Sequence, residues 1–593
     1  MPTLDHQDVQ KIRDLVAVSK AYAHDKFESA RRPAIMRQWF NGNHYGKDMP
    51  IRWIPKRDRV IVNLSQANVI GKVSRLAFRN PTIQVEALDD KSRELAEREQ
   101  QYIEFKWRQI NGLRALRLAL FDTKIVGTGA VATGWSARAA GQGSATQVVE
   151  DPDSLQFDVD RPVVRCVRPD GLILDPDSPE DVQKGWWCGE QLVIPLSRMK
   201  KMKRYAHVAD RLTGVSDLPE GWWAAAKGQS PGDDDHLRGV AIQVVYLAES
   251  RQRIELCEEI PDEPLHVGDL PGVDYPQDDD GMPYFPYVLL RNIPDYNGVR
   301  GGSTHFGISD IEVTETAQIE INTDRSLKAR HRRMDAAQFL ARKGALDDAA
   351  KAILAEGKYK AVIEVEAAPN EDLSKILVPL AKATISPEVY TTEQDARRDM
   401  SELTRTASFE RGTPTQGVEF ATEAAMMQQG AEAGRAWEQQ DFEQFAADVI
   451  EQVSYLLHRW GDTADLVEVP DQEEPQPMSG IELAGRYEHT IEPESMNLPD
   501  QVEAEAKAYG RVQGILPFVE MGANPKPLLV DWLESFDAAN IEETMAGFDH
   551  LAQMKQQLQQ AAQMIAGLQQ QVGEQGAVLQ GAMQGPGQGQ GAE

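Results

Sequence analysis

A few clusters in this sequence have the residue types that chemistry uses, and each has a plainer reading beside it. Gly127-Thr128-Gly129, with Gly134 close behind, has the glycine content of a phosphate-cradling loop. Such a loop needs strand, then glycines, then helix, so that a helix N-terminus faces the phosphate. Here the surrounding pattern runs helix, glycines, strand, so a turn is expected. No GxxxxGK[ST] occurs, which argues against a P-loop motor. Asp175, Asp177, Glu180 and Asp181 in DPDSPED, and Asp278-Asp279-Asp280 in QDDDG, supply oxygen ligands that would suit a divalent cation. Neither has the alternating spacing of a calcium loop, so solvated turns are expected. The histidines are scattered, and no nucleophile has a base arranged beside it in sequence. The expectation is therefore no catalytic residue, no metal site and no cofactor.

Two aromatic pairs and one basic cluster remain. Trp186-Trp187 and Trp222-Trp223 would point to opposite faces of a strand, one ring in the core and one at an interface. Arg325, Lys328, Arg330, Arg332 and Arg333 crowd the end of a helical run. They read equally as a solvated face favouring a helix C-terminus or, in a ring of copies, as contacts to phosphate.

The charge balance constrains the second reading. The chain carries −30 overall, but residues 1–79 hold 15 Lys/Arg against 7 Asp/Glu, while residues 401–593 hold 9 against 32. A protein that clamps DNA gains affinity with each phosphate it neutralises, and an acidic chain is poorly suited to that. Guiding DNA past an acidic wall with a few basic contacts is a different task, and it fits. No stretch approaches the roughly 20 apolar residues of a membrane span, and the N-terminus lacks the apolar core of a secretion signal. Cys166, Cys188 and Cys257 are too few and too far apart for a disulfide framework, so a soluble protein made in a reducing cytoplasm is expected.

The elements that must position these residues can be read from periodicity. At this length several domains are expected. Helices are expected over about 8–30, 64–79 (stopping before Pro81), 90–110, and again through Leu113, Leu116 and Leu120. Short strands follow to about 300, with GVAIQVVYLAES and RIELCEEI as a hairpin joined near Arg251 and Gln252. The run 307–334, polar over most of its surface, would make a rod about 42 Å long at ~1.5 Å per residue. A small mixed segment with the strand-like KYKAVIEVE leads to a helix opening at Ser386-Pro387-Glu388 and ending near Thr404. After the Gly/Thr-rich loop ASFERGTPTQGVEF, Thr422-Glu423 opens a long helix. Its apolar stripe Phe442, Phe445, Val449, Val453, Leu456 and Trp460 ends before Gly461. Near the C-terminus, Leu551, Met554, Leu558, Ala561, Ile565, Leu568 and Val572 form a three-heptad seam flanked by glutamines, followed by a Gly/Gln tail expected to be disordered.

In this order the parts resemble the portal proteins of tailed bacteriophages, the podovirus type in particular. The resemblance is carried by PYFPYVLLRNIPDYNGVRGGSTHFGISDIEVTETAQIEIN, with its Gln318-x-x-x-Asn322 pattern, and by the order of parts after it. QWFNGNHYG, the Asn63-centred helix start, RNPTIQVEA, GTGAV and DPDSPEDV support it earlier in the chain. The fold this implies is α+β, helix-rich and multidomain, assembled as a ring. Its parts would be a wing over 1–306, a first stem helix over 307–335, a clip over 336–385 and a second stem helix over 386–404. A tunnel loop over 405–421, a long tunnel helix returning to the wing over 422–494, a crown over 495–548 and a barrel helix with its tail over 549–593 would complete it, the heptad seam joining subunits in the barrel. The implied function is a twelve-subunit channel at one capsid vertex of the virion for packaging and ejecting double-stranded DNA. The implied partners are the terminase large subunit, head-to-tail adaptor proteins, the major capsid protein and the scaffolding protein.

The proportions agree with that implication. Twelve helices at ~9–10 Å spacing put their axes on a circle about 35–38 Å across, leaving ~25–28 Å inside, enough for a duplex about 20 Å wide. Arg405 and Arg411, at the loop, are the first candidates for light DNA contact, and the cluster from Arg325 to Arg333 the second. The rival readings are a non-portal virion scaffold and, further off, a DNA-processing enzyme.

Overall fold

A computed structural model describes residues 6–27, 31–45, 54–136, 161–178, 181–214, 238–269, 285–296, 304–334, 339–341, 344, 346–356, 377–379, 388–404, 421–468, 475–493 and 495–497. The chain divides into two compact units, 1–498 and 499–593, and only the first contains described residues. The expected heptad seam and tail, most of the segment 495–548, the loop with Arg405 and Arg411, the 278–280 acids, Trp222-Trp223 and KYKAVIEVE all lie outside the described residues.

The first unit mixes helix and sheet. Helices α1 (His6–Phe27), α2 (Arg31–Phe40), α3 (Leu64–Leu76), α4 (Ala96–Ile110) and α5 (Gly112–Val126) open it, interrupted by strand β1 (Ile83–Ala87). Then come β2 (Thr128–Ser136), β3 (Arg161–Val167), β4 (Leu172–Leu174), β5 (Trp187–Pro195), the one-turn α6 (Leu196–Met199), β6 (Gly239–Leu247), β7 (Gln252–Cys257), β8 (His266–Asp269) and β9 (Tyr287–Arg291). The helical half holds β10 (Ile293–Pro294), β11 (Gly307–Ile308), α7 (Asp310–Met334), β12 (Phe339–Ala341), α8 (Asp348–Glu356), β13 (Leu377–Pro379), α9 (Glu388–Leu403) and α10 (Ala421–Trp460). Strands β14 (Asp465–Val467), β15 (Gln476–Met478) and β16 (Tyr487–Ile491) close it.

Two sheets carry the core. Strands β4-β5-β6-β7-β8 form an antiparallel meander, and β3-β2-β9 a second antiparallel sheet. Period-2 alternation sorts the meander's faces. Ile254 and Leu256 of β7, with Val245 of β6, meet Val9, Ile12 and Val16 of α1, while Ile242 and Val244 face the main core. The apolar stripe of α10 enters that same core, with Phe442, Phe445, Val449, Val453 and Leu456 all buried and Trp460 packed at its edge. Strand β16 then returns to pair with β1, Ile83 opposite Ile491.

Several expectations hold at residue level. Asn63 caps α3, its side chain accepting from Gln66 N at 3.1 Å. The β6–β7 hairpin turns at Arg251, whose φ is +51°. Gly127 ends α5 at φ +100°, and a Cβ there would lie 2.1 Å from the Gly307 carbonyl oxygen, so the glycines serve a close backbone approach rather than a phosphate. Trp187 is buried against α1 while Trp186 is 64% exposed.

Others are corrected. Helix α3 stops at Leu76, three residues short of 79, and α4 starts at Ala96 instead of 90, residues 89–95 forming turns. Asp175 is not solvated: it is buried and accepts from Trp186 N and Asp177 N, both at 3.1 Å, so the turn at residues 175–178 is held from inside, while Glu180 lies outside the described residues. The rod begins at Asp310, not Gly307, because Gly307 and Ile308 pair with Ile293 and Pro294 as a strand. Its start is a capping box, Ser309 Oγ accepting from Glu312 N (3.0 Å) while Ser309 N donates to Glu312 Oε2 (2.8 Å). At ~1.5 Å per residue its 25 residues span about 37 Å.

Candidate nucleic-acid interface

The elements expected to face DNA are α7 and α9, and they pack as an antiparallel hairpin. Ala317 and Ile321 of α7 meet Ala396 and Met400 of α9 in a small apolar cluster. Toward the end of α7, Thr392 Oγ1 donates to Asp324 Oδ2 at 2.8 Å and Lys328 reaches Glu393. Between the two helices the chain makes a small α/β insertion, in which β12 and β13 pair antiparallel.

The polar surface expected of α7 is only partly exposed. Thr314, Gln318, Asn322 and Ser326, four residues apart, form one buried face. Gln318 Oε1 accepts from Leu64 N (3.0 Å) and Ser65 N (3.2 Å), and its Nε2 donates to Val62 O (2.7 Å). Asn322 Oδ1 accepts from Val62 N (2.9 Å), and Ser326 Oγ from Val60 N (2.9 Å). The row acts as a stand-in strand for the extended residues 60–63 and the start of α3, whose backbone groups would otherwise lie unpaired at a part-buried seam. Asn322 Nδ2 donates to His44 Nδ1 at 2.6 Å, and His44 Nε2 to Trp39 O at 2.9 Å, which fixes a neutral ring whose pKa burial lowers. So the Gln-x-x-x-Asn pattern and NGNHY are two halves of one joint. Replacing Ser326 with alanine should remove the side-chain partner of Val60 N and one of the partners of the Tyr45 hydroxyl, which keeps the Val60 carbonyl, and cost about 1 kcal/mol, read as a shifted urea midpoint.

The five cations of the basic cluster separate into two kinds. Glu393 of α9 receives Arg325 Nε at 2.6 Å, Lys328 Nζ at 2.6 Å and Arg397 Nε at 3.1 Å. Burial opposes its charge, but hydrogen bonds from Lys328 and Arg397 and the Arg325 charge outweigh that and hold the carboxyl below its ordinary range. Arg325 and Lys328 therefore clasp the hairpin. Arg330 and Arg332 are exposed, and the side chain of Arg333 lies outside the described residues.

Other surface groups give the hairpin its character. Helix α7 exposes Thr316 and Glu320 in its first half, with Glu312 and Glu315 half-buried beside them, and Arg325, Arg330 and Arg332 in its second. Helix α9 exposes Gln394, Asp395, Asp399 and Glu402 beside a single exposed arginine, Arg398. The turn Lys56–Asp58 packs against α7 and exposes Lys56 and Arg57. Those two cations and Arg398 were not singled out from sequence; the excess of Lys/Arg in residues 1–79 was the one signal pointing to the first pair.

Chemistry of other kinds has little to work with here. The Cys166 thiol is pushed up to about 12 by burial and by Asp122, and Cys188 is pushed up by burial, so neither is a thiolate at neutral pH. Among the described residues no group of three His, Cys, Asp or Glu side chains is arranged to hold a metal, and no helix is long and apolar enough to cross a membrane. Comparison with protein families and with curated proteins finds no match to this chain.

Proposed function

We propose that the chain is a portal subunit, which assembles as a ring around a channel for double-stranded DNA during packaging and ejection. The observation that carries this reading is the hairpin: a 25-residue helix and a 16-residue helix run antiparallel, with a small α/β insertion between them and a 40-residue helix later in the chain. Its exposed carboxylates, Glu320, Asp395, Asp399 and Glu402, would repel phosphate along the wall, while Arg330, Arg332 and Arg398 would offer weak contacts that multiply in a ring. The insertion is then the docking point for the terminase large subunit and later for head-to-tail adaptors, and the outer surface meets capsid and scaffolding proteins. In this reading the protein resides at the capsid portal vertex and is not an enzyme.

Negative-stain imaging of the purified full chain tests this directly. Rings with a central hole are expected; particles of single-subunit size under all assembly conditions would refute the proposal. The two kinds of cation give a sharper arm. Arg330→Ala with Arg332→Ala should leave rings intact and lower the amount of DNA packaged. Arg325→Ala with Lys328→Ala should instead destabilise the subunit, because Glu393 loses two of its three partners.

A further inference from the structure

Helix α3 shows solvent an uncharged side. Its inner side packs Val69, Val73 and Leu76 into the main core and sends Lys72 to Asp310 and Glu438. Ile70 and Lys72 are two residues apart, about 200° around a helix of ~3.6 residues per turn, so Ile70 stands on the outer side. There Ile70 is 44% exposed, Ala67, Gly71 and Ser74 are exposed around it, and Phe78, just past the helix end, is 49% exposed. Arg117 of α5 donates to the carbonyls of Ala77 and Phe78, which sets α5 beside Phe78, and the next residue, Leu118, is 48% exposed. A surface helix ordinarily turns charged and polar residues outward. Gly71 is as unexpected: its φ is not positive and a Cβ there would meet nothing within 4 Å, so the subunit itself gives no reason for a residue that weakens a helix.

The rim of this face has one sign of charge. Residues 64–79 and 112–121 contain no Asp or Glu, and Arg79, next to Phe78, and Arg114, one turn from Leu118, are exposed. The opposite chemistry lies on the side that Lys72 faces. Leu403 of α9, 45% exposed, lines a small cavity with Lys72 and Glu438, and Trp437 of α10, beside Glu438 in the chain, is 36% exposed. Residues 436–458 contain no Lys or Arg, and Asp441 is half-buried one turn from Trp437. The subunit thus carries an apolar face with a basic rim and another with an acidic rim, on opposite sides of α3. A heterologous contact uses two such different, complementary faces, and it closes into a ring where the rotation allows. We propose that the outer face of α3 docks a second copy of this chain at its Leu403–Trp437 face, an inference that rests on the ring assembly proposed above. Ile70, Phe78 and Leu118 are its apolar anchors, the bare backbone at Gly71 permits close approach, and Arg79 and Arg114 set the orientation against the acidic surface.

Mass photometry of the purified full chain tests this, with Ile70→Glu and Gly71→Leu beside the parent. Both positions are exposed in the subunit, so melting curves like the parent's are expected. Assembly should require roughly 100-fold more protein in either variant, because one sets a carboxylate against an acidic face and the other fills the close approach. A chain carrying Ile70→Cys with Leu403→Cys should give a ladder of linked subunits with a short bismaleimide, and neither single variant should. A parent that stays a single subunit under every condition would remove the ring reading and this interface with it. Rings formed as readily by both variants, or rings without the ladder, would leave the ring reading standing and overturn this interface alone. Lowered melting of the unassembled variants would also overturn it, because another segment of the same chain would then cover α3. Dimers linked through Ile70→Cys alone would do the same, because the face would then meet its own copy.

Discussion

Replacing Glu438 with glutamine should destabilise residues 1–498 by about 3–5 kcal/mol, the usual cost of removing one partner from a buried ion cluster. Glu438 belongs to a quartet that joins four helices. Lys72 of α3 lies 3.0 Å from Asp310 and 3.0 Å from Glu438, and Lys124 of α5 lies 3.2 Å from Glu438. Asn292 completes the set, accepting from Lys124 at 2.7 Å and donating to Asp310 at 2.9 Å. Both lysine side chains are only 4% exposed, so neither can turn to water when its counter-charge goes. Burial disfavours the charge on Asp310, yet Lys124 and Lys72 outweigh it and keep the carboxyl below its ordinary range. With two cations and two anions the cluster is neutral, and the glutamine leaves it at +1. Adding Lys124→Met should restore neutrality around the surviving Lys72–Asp310 pair. Urea unfolding of both single variants and the double variant reads the coupling. Strictly additive losses would mean that the quartet does not act as a unit.

That quartet also shows where sequence reading stops. Lys72, Lys124, Asp310 and Glu438 sit on helices each legible by period, yet nothing local marks them as partners, because the contacts span up to 366 residues. Gln318 and Asn322 present the same difficulty in another form. A polar residue on a helix reads as solvent-facing, and only the arrival of residues 60–64 makes these two the partners of a buried backbone. Arg325 and Arg330 are indistinguishable in sequence; the placement of Glu393 on α9 separates them. What was legible depended on local physics. The α10 stripe follows from the 3.6-residue repeat and the Arg251 turn from two alternating runs. The Ser309–Glu312 capping box was equally local, but a start placed at Gly307 hid it. The glycines of GTG were correctly assigned to a turn, although the close approach to Gly307 that demands them is tertiary.

The second large effect is expected from acid. His305 and His489 both have folded pKa values lowered to about 4, chiefly by burial; Arg291 adds to the effect at His305, and His458 at His489 against the opposing pull of Glu99. Their unfolded value is 6.5. The unfolded chain therefore binds protons first, and stability, complete above pH 6.5, falls as pH drops toward 4. At pH 5.0 each histidine should have cost about 2 kcal/mol relative to pH 7.5. Carboxyls held low, such as Asp310 and Glu255, lose their contribution only as pH falls below the ordinary carboxylate range, so the histidine window lies above theirs. Asp122 and Asp448, raised by burial, work in the opposite sense and blunt the loss at the acid end. His489 offers the cleaner test. As a residue it is half-buried, but both ring nitrogens are sealed from solvent and have no hydrogen-bond partner among the described residues, beside Tyr487 with ring centroids 6.3 Å apart. His305, by contrast, shares a hydrogen bond with the Tyr22 hydroxyl, and its replacement would remove that bond as well. His489→Phe discards two unsatisfied polar atoms and keeps the ring, so it should cost little at pH 7.5. At pH 5.0 the variant should melt above the parent, having shed about 2 kcal/mol of acid sensitivity. A parent and variant that lose Tm in parallel between pH 7.5 and 5.0 would place the acid-sensitive group elsewhere.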